Sequence, residues 1–261
     1  MKKALYLLIF VYISLLVNAR HIIPSKTEGI KTNEWELHWH DEFNKKSTII
    51  NKWNTENGSP AHILSSRWHE NIEVRGGHLQ IKNIKQNKGG KNWTTGSITS
   101  KQKFKYGYFE CRIKMSKATG VNNAFWLYCT NPSQKSNHCF EIDITEGHYP
   151  NESYNNIHDL GIKEKRCNNQ LSQKHLVSPN IYGAYHRYGL EWNKDTITFF
   201  IDGKMVRTEP NLFCHDEGYI VLGTSVLKWA GEITPSIDGT SMSVDLSLIH
   251  ISEPTRHAQI S

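Results

Sequence analysis

The sequence predicts an all-β domain built as two packed antiparallel sheets. Three observations carry that prediction. Short stretches of alternating apolar and polar residues recur along the middle of the chain, separated by Gly, Asn, Asp and Pro. Several of them are joined by hairpin signals. Beyond residue 19 there is no long run with helical period, and there are no heptads, repeats or low-complexity linkers. Each such strand has one apolar face, and stacking two sheets buries many of those faces at once.

From the N-terminal side, NIEVRGGHLQIKNI (residues 71–84) holds two alternating runs around Gly76-Gly77, a hairpin signature. GSITSKQKF (96–104), YGYFECRIKM (106–115), NAFWLYCT (123–130) and FEIDITE (140–146) follow at intervals suited to an all-β domain. RYGLEWN (187–193), TITFFIDGK (196–204) and YIVLGTSV (219–226) complete the series. In ITFFIDGKMV the pair Asp202-Gly203 stands between two strands, where a tight turn needs positive φ angles that Asp tolerates and Gly prefers. One domain over residues 35–245 is expected, with a loose lead-in over 20–34.

The two ends stand apart from that domain. Residues 1–19 read as a secretory signal peptide: Lys2 and Lys3 first, an apolar stretch from Ala4 to Val17, then small residues around Ala19 for cleavage. The stretch is too short to span a bilayer comfortably, so export to a periplasmic or extracellular space is expected, with no membrane attachment after cleavage. From Leu246 the text LSLIHISEPTRHAQIS breaks the pattern that Ser241–Asp245 begins. It resembles a translated sequencing-adapter end, so residues 246–261 are set outside the domain and the last strand is expected to be truncated at Asp245.

Composition narrows the function classes. The 261 residues are 38% hydrophobic and 21% charged, which excludes a disordered tail and a multi-span membrane protein. The formal charge is +6, or about +4 without Lys2 and Lys3. That excess is too thin and scattered for a nucleic-acid partner, yet it suits an anionic polymer. Eight Trp and 11% aromatic residues offer flat faces on which sugar rings stack. The five Cys form no zinc pattern. Cys129 and Cys139, flanking NPSQKS, are the expected disulfide pair.

The most informative stretch is FEIDITEG, residues 140–147. In a regular strand Glu141 and Asp143 share one face while Ile142 and Ile144 point to the other. Strict alternation sends Glu146 to the core side, where an unpaired carboxylate is costly. A β-bulge around Ile144-Thr145 returns it to the acidic face. Crowded carboxyls cannot all ionise at their free pKa values, and an unequal pair, one ionised and one protonated, is what glycoside hydrolysis needs. Calcium binding is the alternative, although calcium loops wrap their ion and this stretch reads as strand.

These residues resemble the signature of glycoside hydrolase family 16 in its ExDxxE form, here EIDITE. Further stretches match the family in order: HDEFN (40–44), KFKYGYFECRIK (103–114), NAFWL (123–127), YHRYGLEWNKDTITFFIDGK (185–204) and SMSVD (241–245). The resemblance implies a concanavalin-like β-jelly-roll sandwich with a concave, polysaccharide-binding sheet. By position, Glu141 resembles the nucleophile, Glu146 the general acid/base and Asp143 the assisting carboxylate. Trp126 is expected in the cleft or, failing that, in the core. His158 is a candidate for the same groove or for plain surface, and His186 reads as a structural histidine. Trp229 is a candidate sugar platform; Trp68 and Trp93 are either cleft walls or packing residues. The chemistry requires no metal, and a structural calcium with Asp245 as ligand is what the family allows.

The implied function is a retaining, endo-acting hydrolase acting as a monomer on a polysaccharide. The β-1,3-glucanase branch carries W-P-A-F-W where this chain has Asn122-Asn123-Ala124-Phe125-Trp126, and so lacks a stacking Trp. GTSVLKWAGEI (223–233) looks closer to red-algal galactan enzymes such as agarases, porphyranases and carrageenases. A β-galactan, sulfated or plain, is therefore the expected substrate, with Arg67, Arg75 and Lys228 as candidate sulfate partners. A β-1,3- or mixed-linkage glucanase is the alternative within the class. A non-catalytic lectin-like module is the alternative outside it, and a transglycosylase shares the same covalent intermediate.

Overall fold

The computed structural model describes residues 35–129, 138–161, 169–178 and 180–252. The expected signal peptide, the lead-in and NPSQKS lie outside the described residues. The larger sheet runs in the order β15 (Lys204–Pro210), β14 (Thr196–Ile201), β13 (His186–Trp192), β8 (Gly107–Lys114), β17 (Thr240–Ser252), β5 (His78–Lys88), β6 (Lys91–Thr95) and β3 (Ser65–Arg67). On it, β1 (Trp35–Asp41) pairs with β17 and β4 (Ile72–Arg75) with β5. The smaller sheet runs β12 (Asn169–Leu176), β11 (Glu152–Gly161), β10 (Cys139–His148), β9 (Val121–Tyr128), β16 (Gly218–Val226), β7 (Ser97–Phe104) and β2 (Trp53–Thr55). Pairing is antiparallel, apart from β3 with β6 among the described residues.

Both foreseen hairpins are present. Arg75 pairs with His78 across Gly76-Gly77, and Ile201 with Lys204 across Asp202-Gly203, whose φ angles are +52° and +78°. The core lies between the sheets, where Phe109, Leu190 and Trp192 of the larger sheet meet Leu127, Phe140 and Ile142 of the smaller one. Trp192 is fully buried; its indole N–H donates to the Cys214 carbonyl at 2.9 Å, and its ring meets Phe140 edge-on at 5.3 Å. Phe140 directly precedes Glu141, so this contact anchors the back of the acidic strand. Trp192→Ala is expected to destabilise the fold by about 3–5 kcal/mol, the usual loss for a large aromatic in a close-packed core. A denaturant titration that shows less than about 1 kcal/mol would remove Trp192 from that anchoring role.

HDEFN forms more than a strand. Asp41 accepts hydrogen bonds from the Phe43 N–H at 2.9 Å, the Thr48 hydroxyl at 2.6 Å and the Trp53 indole at 2.8 Å. This hub fixes a short helix, α1 (Ser47–Lys52), which has no buried residue and hence no apolar stripe for the sequence to show. At the other end, the ladder of β17 continues beyond Asp245, pairing Ser247 with Cys111 and with Asp41. The expected boundary thus falls inside a strand; ladder bonds use backbone groups that any side chains leave available.

Asp245, the candidate calcium ligand, is already engaged. Its carboxylate is taken by the Arg112 guanidinium and by His78 Nδ1 at 3.1 Å, so a cation there would have to displace an existing positive partner. Cys129 and Cys139 lie side by side as thiols with their sulfurs 3.7 Å apart, close but not bonded. His186 is structural, bonded through Nδ1 to Asp202 at 2.7 Å and through Nε2 to the Asn180 carbonyl at 2.9 Å.

Candidate active site

The outer face of the smaller sheet carries a cleft of about 1040 Å³. Strand alternation decides what lines it. On β9, Asn122, Ala124, Trp126 and Tyr128 face the cleft while Val121, Phe125 and Leu127 enter the core. On β16, Tyr219, Val221, Gly223 and Ser225 do the same, with Ile220 and Leu222 behind them.

On β10 the alternation breaks where the acids require it. Pairing with β9 runs regularly to Asp143 opposite Trp126 and then jumps to Thr145 opposite Phe125; pairing with β11 jumps from Asp143 to Glu146. Ile144 and Thr145 both turn inward and are fully buried. Glu141, Asp143 and Glu146 consequently share the cleft wall. The bulge is held from β11, where the Asn155 side chain donates to the Ile144 carbonyl at 2.6 Å and Ser153 bonds Thr145 at 2.9 Å. Those bonds satisfy backbone and hydroxyl groups that a broken ladder strands in the interior. Gly147 follows Glu146 because any side chain there would run into the Met115 thioether, 1.7 Å from where its Cβ would stand.

The three carboxyls sit in a shared field. His158 Nε2 lies 3.0 Å from Asp143 Oδ2 and 3.9 Å from Glu141 Oε1. Glu146 accepts from the Asn122 amide at 2.7 Å and the Asn156 amide at 2.5 Å. All three carboxyls are held well above the usual range. For Glu141 burial is the first cause and the Asp143 charge the second, offset by His158 and Arg67. Glu146 is raised by burial and then by Asp143, against the hydrogen bonds of Asn122 and Asn156 and the charge of His158. Asp143 is raised by burial, partly offset by Asn156. Three acids in such contact titrate as a unit, so at neutral pH the wall retains a proton that isolated carboxyls would have lost. Among the described residues, the grouping tight enough to chelate a cation is Glu141, Asp143 and His158, with ligand atoms within 4.8 Å. It coincides with the acid wall.

The other sequence candidates divide. Trp126 lines the cleft, and so does Arg67, whose guanidinium lies 6.0 Å from the Trp126 ring centre. Arg67 is already engaged, with Glu56 at 2.6 Å and Ser225 at 3.2 Å. Trp229 stands at the cleft, 54% exposed, braced edge-on by His148 at 4.5 Å. Burial pushes His148 down to about 4, so that brace is a neutral ring. Trp93 is a packing residue, buried with Ala118, Val121, Val226 and Ile237 in a satellite core. Trp68 does not line the cleft; its indole donates to Ser66 and the Lys88 ammonium sits 4.0 Å above its ring. Arg75 and Lys228 are likewise absent from the lining. Sequence reasoning passed over Asn122, Asn156 and Tyr154, although Asn122 is in phase with Trp126 and Asn156 with His158.

The family model described as glycosyl hydrolases family 16 matches residues 60–220. The chain belongs to that family. Two of the similar curated proteins show the range of likeness. A kappa-carrageenase of Pseudoalteromonas carrageenovora is 28% identical over an alignment covering 78% of this chain and 61% of the relative. A beta-porphyranase B of Zobellia galactanivorans is 29% identical, covering 76% of each. The chain thus spans rather less than two thirds of the carrageenase. Among solved structures, an endo-beta-1,3-glucanase from Pyrococcus furiosus superposes with a TM-score of 0.75 at 22% identity, covering 87% of this chain and 98% of that one, which supports the sandwich fold.

Proposed function

We propose that this family 16 protein is a retaining, endo-acting glycoside hydrolase that cuts internal β-linkages of an algal β-galactan, working outside the cytoplasm as a monomer. The observation that carries the reading is the bulge that gathers Glu141, Asp143 and Glu146 on one wall of an open cleft. Glu141 attacks the anomeric carbon as the C–O bond to the leaving sugar breaks, and Glu146 gives its proton to the departing oxygen. Water then attacks the glycosyl-enzyme, losing its proton to Glu146 and releasing Glu141 as carboxylate. Two inversions leave the anomeric configuration unchanged. Asp143, bridged to Glu141 by His158, steadies the nucleophile's charge and rotamer. Trp126 offers a stacking face beside the nucleophile and Trp229 one further along.

A galactan is favoured because Asn122 occupies the place of the first Trp of W-P-A-F-W and because a carrageenase and a porphyranase are among the similar proteins, beside endo-1,3-beta-glucosidases and beta-glucanases that keep the glucan alternative open. Support for sulfate is confined to Arg67, whose charge is shared with Glu56. Reducing-end release from laminarin, lichenan, agarose, porphyran and carrageenan tests the reading, with NMR of the first product anomer. Release from a galactan with a β-anomer as first product is expected. Release confined to laminarin or lichenan identifies a glucanase; gel binding without release identifies a lectin.

A further inference from the structure

Glu146 is gripped from both neighbouring strands by side-chain amides. Asn122 on β9 reaches Oε1 and Asn156 on β11 reaches Oε2, so both oxygens of the carboxyl are engaged and its plane is fixed across three strands. Both asparagines are almost fully buried, and the amide oxygen of each has no hydrogen-bond partner. A buried acceptor left unmet is unfavourable, and turning either amide over would change which atom meets the acid. The fold accepts two such orphan oxygens in order to aim two N–H groups at one carboxyl. Stability alone gives no reason for that arrangement.

We infer that Asn122 and Asn156 are positioning residues for the proton donor, a two-amide clamp that holds Glu146 in line with the glycosidic oxygen and serves both of its protonation states. With Glu146 ionised, each amide donates N–H. With Glu146 protonated, one amide turns and its unpartnered Oδ1 accepts the O–H, until the proton passes to the leaving oxygen. The clamp works among other charges: Glu141 and Asp143 on the same strand, His158 and Tyr154 on β11, and Arg67 on β3 across the cleft. Burial and the Asp143 charge raise Glu146, His158 and the two amides pull it back down, and the amides alone also set where its proton points.

The inference rests on the hydrolase reading above, and the test separates the two. Asn122→Ala and Asn156→Ala are compared with the wild-type chain and with Glu146→Gln on two substrates: the polysaccharide that the panel selects, and an aryl glycoside of the same sugar whose dinitrophenolate leaves without a proton. For Asn122→Ala, kcat/KM on the polysaccharide is expected to fall about 10–100-fold through kcat, with KM within about threefold, because a misaimed acid weakens proton transfer. On the aryl glycoside kcat/KM stays within about threefold. The alkaline limb of the polysaccharide profile moves up in pH, since a lost donor favours the protonated acid. Asn156 also bonds Asp143, so Asn156→Ala is read by the alkaline limb alone, and Asn122→Ser supplies the substrate split should Asn122→Ala fold poorly by circular dichroism. Equal losses on both substrates for the Asn122 variant, or an unchanged alkaline limb, overturn the clamp. Near wild-type turnover of the polysaccharide by Glu146→Gln overturns the hydrolase reading itself, whereas a Glu146→Gln inactive on the polysaccharide beside unaffected asparagine variants sinks the clamp alone.

Discussion

Under the proposed roles, Glu141→Gln is expected to lower turnover of the polysaccharide by at least about 10⁴-fold and Glu146→Gln by about 10²–10⁴-fold. The two losses have different origins, and azide tells them apart. In Glu141→Ala the space beside the anomeric carbon lies open, so azide attacks an activated aryl glycoside there directly and gives a glycosyl azide of inverted configuration. In Glu146→Ala the glycosyl-enzyme still forms with such a substrate, and azide captures it with net retention. Product stereochemistry read by NMR assigns each role independently of rate. Near-normal turnover in either Gln variant, or the same azide anomer from both Ala variants, sinks the assignment. Asp143→Asn is expected to fall between wild type and the Glu variants, since its carboxylate meets His158 at 3.0 Å and is proposed to act through it on Glu141.

The same Gln substitutions should make the protein more stable in mild alkali. The folded-state pKa values of Glu141, Asp143 and Glu146 are all raised, chiefly by burial. A carboxyl raised on folding stabilises the fold fully below its unfolded pKa, near pH 4, and that contribution is lost as pH climbs through the folded value. For Glu141 and Glu146 the folded value is about 8. Wild-type stability is therefore expected to decline between about pH 5 and pH 8, where the native wall is forced to ionise against its neighbours. Gln has no proton to lose, so Glu146→Gln flattens that slope and adds on the order of 1–3 kcal/mol at pH 8. The free amide oxygens of Asn122 and Asn156 are available to receive its NH₂ group. Thermal melts from pH 5 to pH 9 check this. A variant that is destabilised across the whole range, or a wild-type curve that rises toward alkali, contradicts it.

Much of the scaffold was readable because its strands are short apolar runs set off by turn residues. β5 buries every second residue over its first six positions, whereas β8, β14 and β16 are buried at nearly every position and stand out as runs rich in Ile, Val, Phe and Tyr; both tight turns announce themselves by Gly or Asp-Gly. The bulge was readable for a related reason: an acid on the wrong phase has no tolerable place in a core. β11 hid itself. Its inward residues include Ser153 and Asn155, which look like loop residues until their partners on the bulged strand are seen. The tryptophans were harder still, since an indole suits a sugar or a core equally, and only strand pairing decides. Trp126 pairs opposite Asp143 and faces out; Trp93 lies beside Val226 and faces in. Glu110, in the well-marked YGYFECRIK stretch, is the single acid of β8, is buried and bonded by Tyr108 at 2.6 Å, and does not line the cleft. A well-marked acid is not thereby a reacting one.

The kink between Asp143 and Glu146 also bears on insertions and deletions. Both residues of the intervening pair point inward, so excising Thr145 would restore plain two-residue periodicity and leave the third acid facing outward without any irregularity at all. Two spellings of this wall, one residue apart in length, thus present the same trio to a sugar. A single codon gain or loss separates the two, and a pattern that insists on one spacing misses the other.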